Sequence, residues 1–157
     1  MINYNVEKFI TSEFILNVLG LVPNEKFSPI HLQIIMFMIA QEVKITDLEF
    51  KANSFGPRSE DVYSALKELN DLGKVDIWYD KRVNGVPYYQ INKNHIPDID
   101  KVFFFMRIRW IKKLVFEKNS MDLKELIYFV IHKWPDMGVN LVFQGWRTLI
   151  GDIISHE

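Results

Sequence analysis

The chain has 157 residues, a hydrophobic share of 48% and no cysteine, which fits one globular domain and excludes disulfides, thiol catalysis and cysteine-based zinc sites. Its net charge of −1 is not that of a typical nucleic-acid-binding protein. It contains neither a signal-peptide pattern nor an apolar run long enough for a membrane span, so we expect a cytoplasmic protein with no membrane partner.

The first helices are predicted from caps and apolar spacing. One helix is predicted from Val6 to Leu19 and ends before Gly20. In the pair Ser28-Pro29, a hydroxyl that can cap a helix precedes a proline in the first turn, where the missing N–H has no cost. From Ile30 to Val43 nearly every face is apolar, which indicates a central, buried helix.

Residues 45–55 allow two interpretations. The segment Thr46-Asp47-Leu48-Glu49 has the spacing of a helix capping box. On the other hand, Leu48 and Phe50 alternate with charged residues, as they would on an edge strand. The sequence alone leaves both interpretations open.

A turn, a helix and a β-hairpin follow. The turn is Phe55-Gly56-Pro57-Arg58-Ser59, and its serine is expected to cap a helix that ends at Gly73. The core face of this helix is expected to consist of Val62, Ala65, Leu66, Leu69 and Leu72. Two strand-like runs, Val75–Tyr79 and Val86–Ile91, flank Asn84-Gly85, a pair that tolerates the positive φ angles of a two-residue type I′ turn.

Three more helices are predicted after the hairpin. The first runs from Asp98 to Glu117. Ser120 is expected to cap the second, with Asp122 in its first turn, and Trp134-Pro135 is expected to end it. The third runs from about Asn140 to Ser155.

The order of these elements predicts the fold class. Helix, turn, helix and then a hairpin is the order of a winged-helix domain. We therefore predict an α+β, mainly α fold with a winged-helix-like core from residue 5 to 95 and the hairpin as its wing. Residues 96–157 are expected to form a C-terminal helical layer that packs on this core within the same domain.

Two stretches of this core carry motifs of a known group. Leu32-Gln33-Ile34-Ile35-Met36-Phe37 is similar to a Leu-Gln-Lys-Leu-x-Tyr helix, and Phe55-Gly56-Pro57-Arg58-Ser59 is similar to a Tyr-Gly-Pro-x-Ser turn. Both resemble Panacea-type domains, the phage-associated and SocA-like antitoxin families, over residues 30–73. The chain departs from that pattern at Ile34, where Lys is usual, and at Phe37 and Phe55, where Tyr is usual. The resemblance implies a small intracellular module that acts by binding, often encoded on mobile elements.

DNA binding by such a core would use the helix after the Gly-Pro turn and the hairpin. In a winged-helix protein that helix enters the major groove. From Ser59 to Leu72 it has four acids and one lysine, a net charge of −3 that opposes contact with phosphates. Arg58 before the helix, together with Lys81 and Arg82 in the hairpin, supplies the favourable charges. The alternative for these residues is a solvated wing.

A basic segment follows the hairpin. From Lys101 to Lys118 the net charge is +5. On a helix, four cations and two rings of this segment lie within an arc of about 120°: Lys101, Arg109, Lys112, Lys113, Phe105 and Phe116. Cations interleaved with rings suit a nucleic-acid backbone or an acidic protein partner, and the alternative is a solvated face whose lysine stems cover apolar surface.

We therefore expect a non-enzymatic regulatory binding module without cofactor or metal, which binds DNA with weak sequence specificity, as in transcription regulation. The residues expected to bind are Arg58, Lys81, Arg82, Arg109, Lys112 and Lys113. One alternative is a Panacea-like antitoxin whose ring-rich surface binds a toxin. A second alternative is a metal-dependent nuclease. The sequence is also compatible with a homodimer.

Catalytic motifs are weak in this chain. His31, His95, His132 and His156 are scattered and lack the spacing of a zinc-binding helix. Pro97-Asp98 followed by Asp122-Leu123-Lys124 has the spacing of a nuclease motif, in which two carboxylates and a lysine surround Mg²⁺ on adjacent strands. In this chain Asp98 and Asp122 both lie at predicted helix N-termini, where the helix dipole already favours an aspartate.

We predict that the purified protein leaves linear DNA intact in the presence of Mg²⁺ or Mn²⁺, because its aspartates are explained by helix ends. Gel electrophoresis after incubation measures the outcome. Cleavage that is lost in both Asp98→Ala and Asp122→Ala would show that the nuclease alternative is correct.

Overall fold

The computed structural model describes residues 11–42, 48–52, 55–79, 86–98 and 108–135. Within these ranges the elements are α1 (Thr11–Gly20), α2 (Pro29–Glu42), α3 (Glu60–Asp71), β1 (Val75–Tyr79), β2 (Pro87–Ile91), a 3-10 turn (Lys93–His95), α4 (Ile108–Ser120) and α5 (Leu123–Lys133). The fold is thus α+β and mainly α with an antiparallel hairpin, as predicted. The helix predicted from Asn140 to Ser155 lies outside the described residues.

Helix α2 lies at the centre of the fold, and its residues Leu32 to Ile39 are all buried. One part of its surface packs with α1, α3, α4 and the hairpin in a single apolar cluster. Another part, formed by Ile34, Phe37 and Met38, packs against α5. Helices α4 and α5 therefore pack on the first part of the chain through α2.

Three predicted helix signals are confirmed. The Ser28 Oγ accepts a hydrogen bond of 3.0 Å from the His31 N–H at the start of α2. The Ser59 Oγ accepts one of 3.4 Å from the Val62 N–H at the start of α3. At the end of α3, Gly73 has a φ of 72°, and the Lys74 N–H donates to the Leu69 carbonyl at 2.9 Å. This left-handed residue, which favours glycine, turns the chain out of the helix and into β1.

The strands of the hairpin are confirmed, but their register differs from the expected one. Tyr79 lies opposite Pro87. A two-residue turn at Asn84-Gly85 in a regular ladder would place Tyr79 opposite Gln90 instead. The tip itself, residues 80–85, lies outside the described residues. On the far side of β2, Phe27 exchanges two backbone hydrogen bonds with Tyr89.

Several finer predictions are wrong. Leu72 is 58% exposed and does not belong to the core face, because α3 ends at Asp71 and the chain turns at Gly73. Ser120 does not cap α5. It is the last residue of α4, and Asp122 occupies the cap position without a side-chain bond to the helix.

Two further segments also differ from expectation. Residues 96–98 are not helical, residues 99–107 lie outside the described residues, and the predicted helix is described from Ile108 to Ser120. Residues 48–52 are neither helix nor regular strand, and Lys51 forms an isolated antiparallel bridge with Arg58.

A side chain from α2 holds the start of α3. Gln33 is 8% exposed, and its amide donates to the Ser59 carbonyl at 3.0 Å and accepts from the Ser59 N–H at 2.8 Å. Ser59 is itself 1% exposed, so water cannot replace these bonds. The two stretches that carry the motifs of the sequence are therefore joined directly, although 26 residues separate them.

We predict that Gln33→Ala lowers the free energy of unfolding by about 1–3 kcal/mol, because it leaves the buried N–H and C=O of Ser59 without partners. Gln41→Ala is the matched control, since Gln41 is exposed on the same helix, and its effect should stay within about 0.5 kcal/mol. Urea denaturation followed by circular dichroism measures both. Equal changes in the two variants would contradict a structural role for the Gln33 amide.

Candidate functional site

A groove lies between the start of α2 and the Gly-Pro turn. Its cavity has a volume of about 280 Å³. The wall is mainly apolar and is formed by Pro29, Ile30, Gln33, Phe55, Pro57 and Tyr63, with Arg58 at the rim. We call this cavity the Gly-Pro groove. Phe55 is 43% and Tyr63 is 49% exposed, so both rings are accessible from solvent.

The backbone of the groove is held from two sides. The Gln33 amide binds the Ser59 backbone, and the Lys51 backbone exchanges hydrogen bonds of 2.8 and 2.9 Å with that of Arg58. Gly56 has a φ of 122°, a backbone conformation that a residue with a side chain rarely adopts. The turn is therefore fixed by its own bonds before any ligand binds.

Arg58 is already engaged within the chain. Its Nε lies 3.4 Å from a Glu60 carboxylate oxygen, and its guanidinium lies 5.6 Å from the centre of the Tyr63 ring. A neighbouring cavity is lined by Arg58, Glu60, Glu49, Lys51 and Asp61. These five charges sum to −1, so the surroundings of the predicted DNA-binding arginine are slightly acidic.

The outer surface of α3 is acidic as well. Its four acids, Glu60, Asp61, Glu68 and Asp71, are all exposed beside the exposed Lys67. Since a DNA duplex presents one negative charge per ~1.7 Å of its axis, this surface repels the phosphates that flank a major groove. The geometry of α3 therefore disfavours its use as a recognition helix.

Helix α4 carries a basic stripe. Arg109, Lys112, Lys113 and Phe116 follow the spacing i, i+3, i+4 and i+7, which places them on one face of a helix, and all four are exposed. Ile111 and Val115 on the same helix are fully buried. We call the four exposed residues the basic stripe. The predicted clustering of these cations is thus present.

The residues of the basic stripe have different neighbours. Lys113 pairs with Glu117 at 3.9 Å. Lys112 and Phe116 line a third cavity, of about 440 Å³, against the loop of residues 21–25. The Lys112 and Lys113 side chains nevertheless remain exposed to solvent.

Lys118 belongs to the basic segment of the sequence but not to the stripe. Its ammonium lies over the Phe129 ring of α5, 3.6 Å from the ring centre. Burial lowers the pKa of Lys118, and Lys133 lowers it further, while Glu117 acts in the opposite direction. This lysine therefore contributes to the packing of α4 against α5.

Among the described residues, the predicted binding residues lie on two elements: Arg58 precedes α3, and Arg109, Lys112 and Lys113 lie on α4. The contacts of Arg58 are with Lys51, Glu60 and Tyr63, and none of them joins it to the basic stripe. Lys81, Arg82, Lys101 and Phe105 lie outside the described residues. The described residues therefore provide two candidate surfaces, the Gly-Pro groove and the basic stripe.

The residues of the nuclease motif are not on strands. Asp122 is the cap residue of α5, and Asp98 follows the 3-10 turn. Within residues 11–42, 48–52, 55–79, 86–98 and 108–135, no cluster of three or more acidic or histidine side chains is suited to hold a metal ion. The adjacent-strand geometry that the motif requires is therefore not the geometry of these aspartates.

His31 forms a structural link that the sequence did not indicate. Its Nε2 lies 2.8 Å from the Met121 carbonyl, and its Nδ1 lies 2.6 Å from the Ser28 Oγ. Since a carbonyl only accepts, Nε2 donates the hydrogen bond to Met121. The pair connects the start of α2 to the turn between α4 and α5.

Sequence reasoning also missed the rings of the groove. Tyr63 stands among the acids of α3, and only the fold brings it beside Phe55. Burial raises the pKa of Tyr89 on β2, and Tyr63 and Tyr79 raise it further. The sequence singled out the turn that contains Phe55, but no pattern in it indicated a role for Tyr63.

Comparison with known proteins does not assign this chain to a family. No helix in the described part of the chain is long and apolar enough to cross a membrane. No protein-family model matches the chain, and no curated protein matches it either. The Panacea-like resemblance accordingly stays a prediction.

Proposed function

We propose that this protein is a non-enzymatic binding module whose Gly-Pro groove accepts an apolar side chain of a protein partner. The observation that carries the proposal is the exposure of Phe55 and Tyr63 over a backbone that Gln33 fixes. Exposed rings at a preformed pocket are typical of the anchor sites of protein interfaces. The antitoxin alternative, in which a ring-rich surface binds a toxin, belongs to this class.

The size and charge of the groove define the partner. A volume of about 280 Å³ is just below the roughly 300–1,000 Å³ of small-molecule sites, so the groove has room for side chains more readily than for a cofactor. In the cavity that adjoins the groove at Arg58, the three acids Glu49, Glu60 and Asp61 outnumber the cations Lys51 and Arg58. We therefore expect a segment with a large apolar side chain flanked by lysine or arginine.

This groove function predicts that Tyr63→Ala weakens peptide binding at least tenfold, because it removes one wall of the groove. Short random peptides displayed on phage are selected against the wild-type protein, and the enriched sequences are synthesised. Isothermal titration calorimetry then gives Kd for the wild type and for the variant. A tenfold change corresponds to about 1.4 kcal/mol.

Tyr128→Ala is the matched control for this experiment. Tyr128 is 46% exposed, close to the exposure of Tyr63, but it lies on α5 outside the groove. Enriched peptides with a basic flank that lose affinity only in Tyr63→Ala would support the proposal. No enrichment, or equal affinity of both variants, would exclude the groove as a peptide site.

A second candidate function is DNA binding through the basic stripe. The observation that favours it is the alignment of Arg109, Lys112 and Lys113 with the exposed ring of Phe116 on one face of α4. Such a surface contacts phosphates without reading base edges, since α3 is acidic and unsuited to the major groove. Binding would therefore have weak sequence specificity, as the sequence also predicted.

The stripe predicts a salt-dependent affinity for a random DNA duplex. Three phosphate contacts give a log–log salt slope of about −2.7, and the triple variant Arg109→Ala/Lys112→Ala/Lys113→Ala should lose that part of the slope. Unrelated duplexes should bind within roughly tenfold of one another, far below the ~10³-fold ratio of specific readers. Fluorescence anisotropy across a salt series measures both quantities.

A matched triple variant controls for net charge. Lys51→Ala/Lys67→Ala/Lys93→Ala removes the same number of positive charges from exposed positions outside α4. If both triple variants change the slope equally, the stripe is a solvated face. If the wild type does not bind at low salt, DNA binding is excluded and the groove function stands alone.

A further inference from the structure

The outer edge of β1 carries backbone groups that have no hydrogen-bond partner among the described residues. Tyr89 directs its N–H and C=O toward Phe27, away from β1. In an antiparallel ladder both groups of a residue point to the same side, so Ile77, opposite Tyr89, directs its own groups away from β2. Tyr79 does the same two residues later. Four groups, two from Ile77 and two from Tyr79, therefore face outward along this edge.

The start of the same edge is closed. The next outward residue is Val75, and its carbonyl accepts a hydrogen bond of 2.9 Å from the Asn70 amide. The Asn70 side chain thus stands where a neighbouring strand would lie beside Val75. The open part of the edge is limited to the segment from Ile77 to Tyr79.

Large rings flank this open segment. Trp78 is 48% and Tyr79 is 66% exposed, on opposite faces of the hairpin. The Lys26 ammonium covers the Trp78 ring at 4.5 Å from its centre. Edge strands of soluble proteins are usually protected by charges, prolines or bulges, and the segment from Ile77 to Tyr79 contains none of these.

We propose that a second copy of this chain pairs with the edge, antiparallel, with Trp78 opposite the partner's Trp78. In this register Ile77 lies opposite the partner's Tyr79, and by symmetry Tyr79 lies opposite the partner's Ile77. The four outward groups of each copy then form four hydrogen bonds between the copies. The surface is self-complementary, as a two-fold interface requires.

The side chains fit the same register. Trp78 and the partner's Trp78 form a pair without direct backbone bonds, the closer type of cross-strand pair, in which aromatic contacts are favourable. Only three residues of each copy pair, because the Asn70 side chain closes the edge at Val75. The association is therefore weak and depends on concentration.

Sedimentation equilibrium from about 10 μM to about 1 mM tests the association, because an interface this small is expected to be transient. The mean mass should rise from 18.6 kDa toward twice that value. Tyr79→Pro should reduce the association constant at least tenfold, since it removes one outward donor but no bond within the hairpin. Tyr128→Lys, an exposed position on α5, should leave the association unchanged.

Single cysteines test the register even if the proline variant does not fold, because the chain has no cysteine of its own. Cα atoms in a Trp78 pair lie about 4.5 Å apart, within reach of a disulfide. Trp78→Cys should therefore cross-link readily on mild oxidation, whereas Tyr79→Cys, about 8 Å from its symmetry mate, should not. A wild-type mass that stays monomeric, or faster cross-linking of Tyr79→Cys, would overturn the proposal.

Discussion

From Leu32 to Ile39 every side chain of α2 is buried, so this helix needs apolar partners on all of its sides. Helices α1, α3 and α4 and the hairpin cover one part of it, and α5 covers another. The only polar residue in that stretch, Gln33, must find hydrogen bonds without water. It finds them on the Ser59 backbone, and this bond places the Gly-Pro turn against the start of α2.

The Gly-Pro groove is a consequence of that attachment. Once Ser59 is tied to α2, the turn before it extends over Pro29 and Ile30, and Phe55 and Tyr63 remain at the surface. The backbone of the groove is therefore held in place by its hydrogen bonds to the buried helix α2. A site held in this way loses little conformational entropy when it binds, which is an advantage for a small interface.

Charge divides the surface into regions with different possible partners. Helix α3 presents acids, and α4 presents the basic stripe with its ring. The described contacts of Arg58 keep it with the acids of α3. The two surfaces suit different partners, a basic protein segment for the acids of α3 and an anionic surface for the basic stripe.

Local chemistry in the sequence determined much of the fold. Ser28-Pro29, Ser59 and Gly73 mark helix ends, because caps and left-handed turns depend on a few neighbouring residues. The strands of the hairpin and the clustering of Arg109, Lys112 and Lys113 on one helix face follow from residue spacing in the same way.

Only the tertiary structure decided the features that depend on distant residues. The sequence assigned Leu72 to the core and Ser120 to a cap, but the exact end of a helix depends on what packs beside it. The bond between Gln33 and Ser59, the meeting of Phe55 with Tyr63 and the register of the hairpin join residues that are far apart in the chain. The sequence by itself determined which elements form and which faces are charged, because these follow from periodicity and caps. The groove and the open edge were decided by packing, because they exist only where separate elements meet.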